Sequence, residues 1–297
     1  MAAPPESPGI VPPVGEMAIE VSDLRKSYGA VEALRGLSFD VRRGEVFGLL
    51  GPNGAGKTTT VEILEGYRAR SGGGVRVLGQ DPAVRDRRQQ ERVGIVLQSC
   101  GFHSHITVRE AVRHMAKAYP RPLQVDETIA LVGLEDKADE RSGRLSGGQR
   151  RRLDLALALV GDPELVFLDE PTTGFDPAAR RTAWTVIGAL RDLGKTVLLT
   201  THYLDEAQAL ADRVAIIKDG ALVAQGPPAE LSPTSAGYRV SYVADGRRVE
   251  HETGDPTDLL HRLTGDALAR GERLQGLEVA RPTLEDVYLE LTAEDER

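Results

Sequence analysis

The chain has 297 residues, a net charge of −8, 40% hydrophobic and 28% charged residues, an ordinary globular composition with enough apolar mass for a core. Its longest stretch free of Asp, Glu, Lys and Arg, Val93–Val108, has 16 residues and holds Gln98, Ser99, His103 and His105, so it falls short of the ~20 apolar residues of a spanning helix. The start lacks a basic, apolar leader, the lone Cys100 excludes an internal disulfide, and the negative charge argues against general nucleic-acid binding, which together predict cytosolic residence.

In chain order, residues 1–16 are proline-rich and predict a disordered tail. Alternation at Ala18–Val21 predicts a strand, followed by a second at Leu37–Val41. Val46–Leu50 is a short apolar run of the kind buried on both faces of a parallel sheet. Similar runs recur at Val93–Leu97, Leu165–Leu168, Val197–Leu199 and Val214–Ile217, with helical patterns between several of them. This predicts an α/β fold with crossover helices. From about Gly101 to Val160 only helix signals appear. Thr107-Val108-Arg109-Glu110 is a capping box, a helix over Asp126–Val132 stops at Gly133, and another follows Ser146. Past Leu231, Tyr238–Val243 and Arg247–Glu252 flank Ala244-Asp245-Gly246 as a hairpin, and Pro282–Leu291 has an amphipathic helical pattern. The expected organisation is a tail (1–16), a large domain (17–231, helical over about 101–160) and a C-terminal accessory domain (232–297).

Gly51-Pro52-Asn53-Gly54-Ala55-Gly56-Lys57-Thr58 follows the Val46–Leu50 strand and matches G-x-x-x-x-G-K-[ST]; Thr59 continues it. Glycines let successive backbone N–H groups curl round phosphate oxygens, and the following helix points its positive end at the same anion. Lys57 can reach the β- and γ-phosphates, and Thr58 can ligate Mg²⁺. Leu165–Leu168 ends in Asp169 and Glu170. Beside a phosphate loop, Asp169 is suited to hold Mg²⁺ and Glu170 to deprotonate the attacking water. Leu145-Ser146-Gly147-Gly148-Gln149 is a second capping box with two glycines in a first helical turn, which costs stability and predicts close approach of another group, a second phosphate contact being suitable.

Over about Met17–Leu231 these residues resemble the ATP-binding cassette (ABC) ATPases. The resemblance implies a P-loop NTPase fold: a RecA-like core sheet with a helical insertion and an antiparallel β edge, here followed by a small α+β extension. It implies ATP and Mg²⁺ as ligands. It makes Leu145–Gln149 the signature motif, which completes the ATP site of the opposite subunit. By the same resemblance Tyr28 stacks on adenine, Gln98 senses Mg²⁺ and the membrane partner, Asp176 is the D-loop aspartate, and His202 contacts the γ-phosphate. Two readings follow: the ATPase subunit of a membrane transporter, or a soluble ABC ATPase of DNA repair or translation. Lys57 and Asp169 stand close in sequence with no heptad run between them, and the chain carries one cassette, which favours the transporter. Arg281–Leu291 resembles the end of ABC-2-type exporter ATPases, including the daunorubicin-resistance group. That implies a separate permease and export of drugs, lipids, polysaccharides or ions. The wider ABC resemblance implies an ATP-closed homodimer at the inner face of the membrane, and nucleic acid is not an expected partner.

Overall fold

The computed structural model describes residues 17–96, 104–231, 238–244 and 247–280. The predicted tail, Gln98, Cys100, His103 and the Pro282–Leu291 helix lie outside these residues. The chain divides into two units between Gln225 and Gly226.

In the first unit, β1 (Met17–Tyr28) and β2 (Val31–Arg42) form an antiparallel hairpin in which Tyr28 pairs with Val31. Then come β3 (Val46–Leu50), α1 (Lys57–Leu64), β4 (Gly72–Val77), α2 (Arg87–Gln90) and β5 (Val93–Val96). The helical stretch holds α3 (Val108–Ala116), α4 (Val125–Leu131) and α5 (Gly147–Leu159). The unit ends with β6 (Leu165–Asp169), α6 (Pro177–Asp192), β7 (Thr196–Thr201), α7 (Leu204–Leu210), β8 (Arg213–Lys218) and β9 (Ala221–Gly226). One sheet has the order β2-β1-β4; the other, of six strands, runs β5-β6-β7-β3-β8-β9. In the six-stranded sheet the pairs from β5 through β8 are parallel, and the Asp219-Gly220 turn returns β9 beside β8.

Alternation along the parallel strands explains the layering. Phe47, Leu49, Leu165, Phe167 and Leu198 face one core, shared with β1, β2, β4 and α1. Val46, Val166, Leu168, Val197 and Leu199 face the other, shared with α3, α4, α5 and α6. The sheet is therefore covered on both sides, as its continuous apolar runs require. Both predicted capping boxes form, with Thr107 and Ser146 accepting from the N3 backbone while Glu110 and Gln149 reach back. The first two strands run to twelve residues each, well past the predicted four and five. Register shifts between Val21 and Leu24 break the two-residue alternation, which hides their outer halves in the sequence.

The second unit begins with the short α8 (Pro228–Leu231). Its sheet has the order β11-β10-β12, built from β10 (Tyr238–Ala244), β11 (Arg247–Thr253) and β12 (Gln275–Ala280), all pairs antiparallel. β10 and β11 pair as the predicted hairpin does, Val240 opposite His251. The helix α9 (Pro256–Ala269), capped by Asp255, contacts β10.

Candidate functional site

All five residues of β3 are buried, so the strand delivers its carboxy-terminal end at a fixed place. The turn after it is pressed between two other segments. A Cβ on Gly51 would stand 2.3 Å from the Ile217 carbonyl oxygen, and one on Gly56 would stand 2.6 Å from Leu34 Cδ2. Gly56 also takes φ 104°, the left-handed region, as N-cap of α1. Among the described residues no side chain caps α1, which leaves its first N–H groups open to an anion. Lys57 is 5% exposed, and its Nζ donates to the carbonyls of Gly51 at 2.7 Å and Pro52 at 3.2 Å. Burial lowers its pKa, and the carboxylates of Glu170 and Asp169 oppose that shift. Asn53, Gly54 and Thr58 are exposed, Pro52 and Thr59 partly so, and Ala55 is buried.

The two acids are set by one hydroxyl. Asp169 pairs with Thr200 across β6 and β7. Thr200 Oγ1 donates to Asp169 Oδ1 at 2.5 Å and accepts from the Glu170 N–H at 2.9 Å. Glu170 then turns at φ 45°. Its Oε1 lies 3.3 Å from His202 Nδ1 and 3.9 Å from Lys57 Nζ, while its Oε2 accepts from Thr173 Oγ1 at 3.1 Å. His202 lies against the Tyr203 ring, centroids 4.1 Å apart. Lys57, Asp169, Glu170 and His202 thus come together beyond the carboxyl ends of the central strands, because β3, β6 and β7 run parallel.

From α5, Arg151 donates to the Asp169 carbonyl at 2.8 Å and the Pro171 carbonyl at 3.4 Å, joining the signature helix to the same turn. Its neighbour Arg152 donates to the carbonyls of Val132 and Gly133. Ser146, Gly147 and Gly148 share a cavity of about 590 Å³ with Glu170, Thr173 and Asp176. The phosphate-loop residues do not line it. A Cβ on Gly147 would meet nothing within 4 Å, so nothing among the described residues requires a glycine there. Asp176 caps α6, accepting from the N–H groups of Ala178 and Ala179. Tyr28 is 41% exposed, with Lys26 Nζ 4.9 Å and Arg68 Cζ 5.3 Å from its ring centroid. Gln98 lies outside the described residues. A larger cavity, of about 870 Å³, lies over β1, β2 and β4 and holds none of the motif residues.

Behind the site, Glu65 ends α1. Burial, reinforced by Asp169 and Glu62, pushes its pKa up to about 8. It shares a groove with Asp154, which burial raises to about 6. Thr200, Arg151 and Glu65 escape the sequence reading. Thr200 reads as an ordinary strand threonine; Glu65, four residues after Val61 on a buried helix face, left a trace as an acid in phase with apolar positions.

The donor set suits nucleotide and metal. Asp169 and Thr58 offer the hard oxygens that Mg²⁺ takes alongside phosphate. No cluster of three or more His, Cys, Asp or Glu that could hold a metal by itself occurs among the described residues. No described helix is long and apolar enough to cross a membrane.

A family model described as ABC transporter matches residues 34–173. Nod factor export ATP-binding protein I of Rhizobium sp. (strain N33) is 37% identical over 307 residues, covering 95% of this chain and 99% of that protein. The protein of that name from Paraburkholderia xenovorans (strain LB400) is 45% identical over 231 residues, 76% of each chain. A solved ATP-binding subunit of an ABC transporter superposes with a TM-score of 0.68 at 23% identity, over 93% of this chain and 99% of its own. The phosphate loop, the acid-tipped strand and these relatives agree: the chain belongs to the ABC transporter family, as an ATP-binding ATPase subunit.

Proposed function

We propose that this chain is the peripheral ATPase of an exporter, of the ABC-2-type group that includes daunorubicin resistance, and that two copies close head-to-tail over two ATP molecules at the inner face of the membrane. The carrying observation is the Glu170 carboxylate, poised 3.3 Å from His202 and 3.9 Å from Lys57 at the end of the acid-tipped strand. Export is supported by relatives that are named for export and align along nearly the whole chain. The DNA-repair or translation alternative has no such support.

In the proposed mechanism, the N–H groups of Gly51–Thr58 and the Lys57 ammonium hold the β- and γ-phosphates, Lys57 exchanging its own loop carbonyls for phosphate oxygens. Asp169 and Thr58, with Gln98, would hold Mg²⁺, which would supply charge neutralisation for the phosphate oxygens. Glu170 takes a proton from water, the water oxygen bonds to the γ-phosphorus, and the bond to ADP breaks with its electron pair leaving on ADP. His202, steadied by Tyr203, donates to the γ-phosphate. Tyr28 offers an exposed face to adenine. Ser146, Gly147, Gly148 and Gln149 of the partner subunit close the nucleotide from the other side, with Asp176 beside the seam. The open space at Gly147 supports this, since the glycine then answers to a group outside its own chain.

The permease docks near Ser99–Tyr119, and residues 232–297 form an accessory domain that serves assembly more than hydrolysis. The cargo contacts the permease. Nucleic acid has no role in this reading, consistent with the charge of −8.

Glu170→Gln tests it. Turnover should fall by about 100-fold or more while ATP binding persists, because the phosphate cradle is untouched. Light scattering should then show an ATP-loaded dimer and a largely monomeric apo form. Turnover at the wild-type rate refutes the base assignment; a monomer at every concentration with ATP refutes the dimer.

A further inference from the structure

Glu206, at the start of α7, is fully buried. Its Oε1 accepts from Thr172 Oγ1 at 2.8 Å and from Trp184 Nε1 at 3.2 Å. These donors come from different parts of the site. Thr172 stands in the turn just after Glu170, Trp184 lies on α6 behind the Asp176 cap, and Glu206 itself is four residues past His202. Burial raises the Glu206 pKa, and the Thr172 and Trp184 donors together with Arg180 oppose that. Its Oε2 is buried and has no hydrogen-bond partner among the described residues. One helical turn before Trp184, Arg180 lies over the Tyr203 ring at 4.4 Å and 3.3 Å from Asp205 Oδ2. So α6 holds the segment carrying His202 at two places.

A buried carboxylate is a costly way to fill space, and apolar packing of the same volume is often as stable. What a single oxygen with two donors supplies is geometry. We propose that Glu206 is a positioning residue that joins α6, the turn after Glu170 and the His202 segment into one body, so that the placement of Asp176 is communicated to the His202–Glu170 pair. A movement of the α6 start, where the proposed partner subunit would press, then changes the His202–Glu170 distance without touching the phosphate loop. This rests on the reading of Glu170 and His202 given above.

The test compares ATP turnover and ATP binding in the full chain, its Glu206→Gln, Glu206→Leu and His202→Ala variants, and the Glu206→Leu/His202→Ala double variant. Glu206→Leu should lose about tenfold or more in kcat with KM for ATP changed less than about twofold. Glu206→Gln keeps the accepting oxygen and should retain most of the turnover. The double variant should be no slower than His202→Ala, since both changes break the same unit. Trp184 is the sole tryptophan, so its emission reports the joint directly. ATP should shift that emission in the wild type and Glu206→Gln, and not in Glu206→Leu. If Glu206→Leu fails to fold, Trp184→Phe and Thr172→Val, each removing one donor, should lower kcat at constant KM. Wild-type kcat in folded Glu206→Leu, or in both donor variants, overturns the proposal. So does a Glu206→Gln as slow as Glu206→Leu, or losses that multiply in the double variant. Wild-type turnover in Glu170→Gln and His202→Ala is a different failure: it removes the site reading and the proposal with it.

Discussion

Glu65 should make the fold weaken as the solution turns alkaline. In the unfolded chain its carboxyl ionises near its ordinary value of 4.5; in the folded protein it holds its proton up to about 8. Between those values the folded state binds more protons than the unfolded one, so stability falls as pH rises. Each tenfold change in proton concentration is worth about 1.4 kcal/mol. The full gap therefore sets a ceiling of about 5 kcal/mol above pH 8, which water and side-chain relaxation around the groove reduce to an expected 1–2 kcal/mol, on the order of what a buried carboxyl retains. Glu65→Gln keeps the shape and removes the titration. Urea unfolding of the nucleotide-free wild type and Glu65→Gln at pH 5 to 9 would measure it. The two should agree near pH 5 and separate steadily above it, Glu65→Gln being the more stable at pH 8. Because Asp169 contributes to the shift, Asp169→Asn should narrow the separation. Parallel stability curves across the whole range refute the reasoning.

Two further outcomes follow from the same geometry. Arg151→Ala removes the donors to the Asp169 and Pro171 carbonyls, and should cost about 2 kcal/mol in urea unfolding and slow ATP turnover, because the turn carrying Glu170 loses its support. Arg92 and Arg43 hold Glu164 down to about 2, so its contribution is present above its ordinary pKa and is lost as pH falls through about 2; Glu164→Gln should raise the pH of acid unfolding measured by circular dichroism, and its difference from wild type should vanish at the acid end.

The elements that carry the motifs were legible because their sequence signals are local. The strand before the phosphate loop, the acid-tipped strand and both capping boxes each announce themselves within a few residues. Elements whose reason lies elsewhere in the chain were not. β4 opens with three glycines and carries no strand signal of its own; it forms because β1 offers it an edge. β12 is exposed along its whole length and shows no clean alternation, and α9 carries Gly265 within an otherwise helical pattern. At the site the same division holds. Lys57 and Glu170 stand in motifs, whereas Thr200 and Arg151 act on Asp169 from other strands and helices, 31 and 18 positions away. A bond across that distance leaves no periodicity to read.

The place of β3 in its sheet has a consequence for biosynthesis. Val46 pairs with Val197, and Phe47 with Arg213, so the strand that ends in the phosphate loop waits for neighbours made about 150 residues later. At ~5–20 residues per second that is roughly 8–30 s of translation. The β1–β2 hairpin and the helices from α3 to α5 have partners close in the chain and can organise during the wait. The nucleotide-binding turn cannot, since Gly51 takes its shape against the Ile217 carbonyl. A nascent chain halted before β8 is therefore one that ATP does not rescue, and cellular nucleotide can act as a folding ligand only after the last parallel strand has cleared the ribosome.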